Sequence, residues 1–154
     1  MDAGGPRVDA DSVVVERLRL WVLGVIVLGL IGTMTELVLL EHDEQALQFV
    51  PLVLMLLGAL ALAWNYIRKD TASLRTLQII MGLFVLSGFA GMAAHFNGSA
   101  EYQLELNPDL GTFELLDKIV HAKAPPLLAP GMMIQMGLLG LAYAFTDIRY
   151  RGSK

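Results

Sequence analysis

Four runs of this chain hold almost no charge, and each is about as long as a lipid bilayer is thick. Residues 20–40 are interrupted only by Glu36, while 45–67, 76–100 and 124–146 contain no Asp, Glu, Lys or Arg at all. An α-helix rises about 1.5 Å per residue, so roughly 20 apolar residues cross about 30 Å of hydrocarbon. Backbone amides in lipid must satisfy one another, which leaves only helices and closed barrels. Barrel strands alternate apolar and polar residues, and these runs are continuously apolar. The expected fold is therefore all-α: an antiparallel four-helix transmembrane bundle. Its spans fall at about 20–40, 46–67, 76–96 and 126–146 within a membrane domain of 16–148, between a polar tail at 1–15 and a short tail at 149–154.

Composition supports the same reading. Hydrophobic residues make up 55% of the 154 and charged residues 17%, against about 25% charged in ordinary soluble domains. A soluble domain of this size cannot hide so much apolar surface. The absence of cysteine excludes a disulfide scaffold and a thiol nucleophile. A net charge of −4 argues against a nucleic-acid partner. The first span is not a cleavable leader: acids precede it, its apolar run is too long, and no small-x-small cleavage pattern follows.

Charge placement predicts the orientation. With the N-terminus inside, the inner segments hold Arg7, Arg17, Arg19, Arg68, Lys69, Arg75, Arg149, Arg151 and Lys154, and the outer segments only Lys118 and Lys123. Such a bias puts both termini in the cytoplasm, and in a bacterium it puts the protein in the inner membrane. The outer side gathers Glu36, Glu41, Asp43, Glu44, Glu101, Glu105, Asp109, Glu114 and Asp117, a net charge near −7 against the two lysines, together with all three histidines.

The loops differ in length. A tight acidic turn joins spans one and two, and a short basic turn joins spans two and three; both favour antiparallel neighbours. The outer segment 97–125 is too long for a plain connector. Asn107 followed by Pro108 is a candidate helix start, and Thr112 is a second. Phe113, Leu116, Ile119 and Val120 recur at helical spacing between Glu114, Asp117, Lys118 and His121. That pattern reads as a short amphipathic helix at the outer membrane surface.

Small residues mark close helix approach in lipid. Gly24 and Gly32 lead along span one to Glu36, and Gly88 and Gly91 lead along span three to His95. If both stripes face the bundle interior, Glu36 and His95 meet near the outer end. Ionisable groups inside spans are functional candidates by default. A carboxylate and an imidazole together suit a divalent metal such as zinc, with His42 and His121 as further candidate ligands and Gln48 and Gln135 lining a polar cavity. A hydrogen-bonded pair that merely fixes helix register is the competing explanation, and the spacing matches no established metal motif.

Three readings of function follow. The leading one is a non-enzymatic accessory or assembly partner of other membrane proteins, or a homo-oligomer, contacting its partner through small-residue faces and the acidic outer surface. The second is a metal-binding or proton-linked protein with the Glu/His site at its outer face. The third is a small transporter subunit.

Overall fold

The computed structural model describes residues 10–39, 49–121 and 128–147. Five helices make up the fold: α1 (Ala10–Leu39), α2 (Phe49–Arg68), α3 (Thr71–Leu106), α4 (Thr112–Val120) and α5 (Leu128–Phe145). No strand occurs among the described residues. α1, α2, α3 and α5 are each long and apolar enough to cross a bilayer. The chain is thus a small multi-pass membrane protein built as a helical bundle, as its apolar runs predict.

α3 is the hub. It packs most extensively on α5 and next on α2, while α1 leans chiefly on α5 and touches α2 only slightly. Glycines set the α3–α5 contact. A Cβ at Gly88 would stand 2.7 Å from the Pro130 carbonyl oxygen, and one at Gly137 would stand 2.7 Å from that of Met81. A Cβ at Gly91 would make ordinary contact with the Pro130 ring at 3.6 Å, and Gly140 lies against the Met81 side chain. Numbers rise on α3 as they fall on α5, so the two helices are antiparallel. Small residues let the backbones come this close, which is the usual way for helices to associate in lipid. Met81, Phe84, Leu77, Met136, Met55 and Ile26 fill the centre and are almost wholly buried.

A tight turn joins α2 to α3. The Lys69 backbone is left-handed, with φ of 50°, and its N–H donates to the Asn65 carbonyl at 3.1 Å. This is the helix-ending αL cap, a place usually filled by glycine. Asp70 then caps α3: its carboxylate accepts from the Ser73 N–H at 2.8 Å, and the Ser73 hydroxyl donates to the Asp70 carbonyl at 2.9 Å.

α1 and α3 extend beyond the expected membrane spans. α1 begins at Ala10, so part of the expected polar tail is helical. α3 runs to Leu106, past residue 96 where the third span is expected to end: it crosses the poor helix formers Asn97 and Gly98 and continues through Ala100 to Leu106, which holds no Gly or Pro. Asn107, a candidate start for the next helix, instead closes α3, donating its N–H to the Gln103 carbonyl at 3.0 Å. Pro108 accounts for this, since it disfavours helical backbone at the residue before it. Gly111 is the N-cap of α4, so Thr112, the other candidate cap, is instead its first helical residue.

The short amphipathic helix expected in the outer segment is present as α4. It packs on α3 through Ile119, which is buried, whereas Phe113, Leu116 and Val120 are exposed. Ile119 and Phe113 belong to one apolar count in the sequence, yet they lie on different sides of the helix.

Candidate functional site

The end of the bundle that carries the acidic residues does not bring Glu36 and His95 together in an interior pocket. Arg19 meets Asp147, and Gly29 meets Met136, so α1 runs antiparallel to α5. Counting on from these contacts brings Glu36 level with the first turn of α5. Gly91 lies against Pro130 in the same turn, which puts His95 just over one helical turn, about 6 Å, further out. The two groups are therefore at similar height. Both side chains are exposed, however, and α1 and α3 make little contact with each other.

The two glycine stripes also behave differently. Gly88 and Gly91 pack against α5 as expected, but Gly24 and Gly32 have open space where a Cβ would be. α1 turns Ile26, Leu30, Thr33 and Leu37 towards the bundle instead, with Gly29 as its contact glycine against Met136. A spacing of four puts residues on one face without saying which neighbour that face meets.

The remaining candidates are dispersed. His121 caps the end of α4, with Nδ1 at 3.0 Å from the Asp117 carbonyl oxygen and 3.1 Å from its carboxylate, in an exposed position. Gln135 is exposed on α5. His42 and Gln48 lie outside the described residues. Among the described residues, no three His, Asp or Glu side chains gather as metal ligands would.

The opposite, basic end holds a polar cluster that the sequence reading missed. The Arg19 guanidinium donates to the Asp147 carboxylate at 2.8 Å, with Asp147 2% and Arg19 17% exposed. The same guanidinium stacks over the Tyr143 ring at 4.8 Å, an added cation–π attraction. Asn65 on α2 and Ser73 on α3 are buried at this end too. The Gln78 amide nitrogen, also shielded, has no hydrogen-bond partner among the described residues. Arg19 enters the sequence reading only through the inner-side charge bias, and Asp147 does not enter it. The available signal was their opposite sign at the same end of two antiparallel spans.

An apolar groove of about 580 Å³ opens between α2 and α3, lined by Phe49, Val53 and Leu54 on one side and Leu83, Leu86 and Ala90 on the other. Its walls offer dispersion contacts and almost no hydrogen-bonding groups. Chemically, then, the described surface presents apolar helix faces, an ion-paired clamp at the basic end and dispersed polar groups at the acidic end. No protein-family model, no curated protein and no solved structure matches the chain.

Proposed function

We propose that this small membrane protein is a non-enzymatic assembly partner, binding another membrane protein through the free face of α1. One observation carries the reading. Gly24 and Gly32 form an open track along a helix whose opposite face already packs on α5. Leu28, between them, and Ile31 beside them are exposed. Small residues let a second helix approach closely, gaining dispersion contacts and inter-backbone contacts that lipid chains do not supply; here they stand eight residues, about two turns, apart, with Leu28 as a knob between them. The Lys/Arg bias supports placing both termini in the cytoplasm, so the partner helix would cross the same membrane beside α1.

The chain has no cysteine, which makes the test simple. Single cysteines at Gly24, Leu28 and Gly32 should cross-link to a neighbouring membrane protein in native membranes, and cysteines at Ile26 and Leu30 should not. Adducts of twice the chain's own mass would indicate self-association instead. No adducts at any of the three positions would refute the assembly reading.

A further inference from the structure

We propose that the α3–α4 hairpin is a second docking surface, standing clear of the bilayer and shaped to take a cationic amphipathic segment of a partner protein. This rests on the assembly-partner reading and adds the chemistry of the partner's aqueous part.

The first observation is height. α5 has 18 residues and so spans about 27 Å, close to the hydrocarbon thickness. Gly91 of α3 is level with Pro130 in the first turn of α5. α3 continues to Leu106, which carries it about 22 Å beyond that level. The headgroup layer adds only about 5–8 Å on each side of the hydrocarbon, and an ordinary tilt of about 20° changes the projection little. Lipid can cover the exposed side chains of the spans, but it stops short of the tip of this hairpin, the end of α3 and Phe113 at the start of α4; α4 then returns about 13 Å towards the bilayer, so this placement lifts the first part of α4 off the membrane surface on which the sequence expectation laid it.

The second observation is what the tip displays. Tyr102 and Leu106 lie one turn apart on α3, and Phe113, Leu116 and Val120 share a face of α4. Phe113 is 89% exposed, and Tyr102, Leu106 and Val120 are each more than half exposed. These are two apolar strips, one on each helix, and large apolar side chains left open to water are what an interaction site offers.

The third observation is charge. Glu101 and Glu105 form a ridge beside Tyr102 and Leu106, while Glu114 and Asp117 flank the apolar face of α4, with Asp109 in the turn. Lys118 already pairs with Glu114 at 3.4 Å. Glu101, Glu105 and Asp109 have no cationic side chain at ion-pair distance among the described residues. A second copy would bring the same acids and be repelled, and an anionic lipid surface would be repelled as well. An amphipathic helix with Leu on one face and Lys or Arg along its edges matches both the apolar and the acidic ridges.

The test uses the full chain in phosphatidylcholine nanodiscs, with nitroxide labels on single cysteines at 113, 116 or 120 and a fluorescent Leu/Lys amphipathic peptide as probe. Without peptide, the labels should be open to a water-soluble nickel chelate. Peptide should bind above the level of empty discs, shield the labels and dissociate with added salt. Affinity should fall at least about tenfold when Glu101, Glu105, Asp109, Glu114 and Asp117 are neutralised together, and also in the Phe113→Ser chain, whose wholly surface change leaves the fold intact. Labels protected from nickel but open to oxygen would show that the bilayer covers the face, and label–label coupling between chains would show a second copy there. Either result, or equal peptide binding by all chains, overturns the proposal. The cross-links from α1 are read in native membranes without this peptide, so either surface can fail while the other stands.

Discussion

An arginine at the end of a membrane helix ordinarily snorkels to water; Arg19 instead turns inward to Asp147 and Tyr143. A hydrogen bond to a charged group contributes about 1.5–3 kcal/mol. Arg19→Ala should cost an amount in that range, because it removes the contact to the buried Asp147 carboxylate and the stack on Tyr143 together, whereas Asp147→Asn should cost less because Arg19, 17% exposed, can swing out to solvent. Denaturation in detergent micelles would measure both, and equal small losses would show that the clamp contributes little. Lys69 presents the reverse case. Its left-handed backbone costs about 1–2 kcal/mol in a side-chain-bearing residue, partly offset in a glycine variant by the freer unfolded chain. Lys69→Gly should therefore stabilise by about 0.5–1 kcal/mol in the same assay.

At the scale of elements, glycines divide into those that carry a contact and those that do not. Gly88→Ala and Gly137→Ala would each press a methyl group onto backbone of the facing helix, and overpacking of this kind costs about 1–3 kcal/mol. Gly24→Ala and Gly32→Ala meet nothing and should leave stability unchanged or raise it by up to about 1 kcal/mol through helix propensity. Thermal unfolding of the four variants would check the split. The sequence made the four spans legible because charge-free runs of bilayer length have few other solutions. It showed α4 through the spacing of its apolar residues, whereas the run of α3 on to Leu106 leaves no mark in hydropathy, because residues 97–106 mix polar and apolar side chains. Helix facing was less legible. The stripes ending at Glu36 and His95 look alike in sequence, yet only the second packs inward, because Ile26, Leu30 and Leu37 give α1 a bulkier face to set against α5. The Arg19–Asp147 pair was hidden by a separation of 128 residues.

Taken as a whole molecule, α2, α3 and α5 form a glycine-knit core, and α1 is attached along one side with its other side open. That asymmetry is the basis for reading the protein as a component of a larger membrane assembly. Native mass spectrometry of complexes extracted from the source membrane in nanodiscs tests this most directly, comparing the natural chain with one carrying Gly24→Ile and Gly32→Ile. The account predicts a complex heavier than the single chain by the mass of a different protein, and a lone but equally heat-stable chain for the double variant. A lone chain in both samples, or an unaltered complex in the variant, would contradict it.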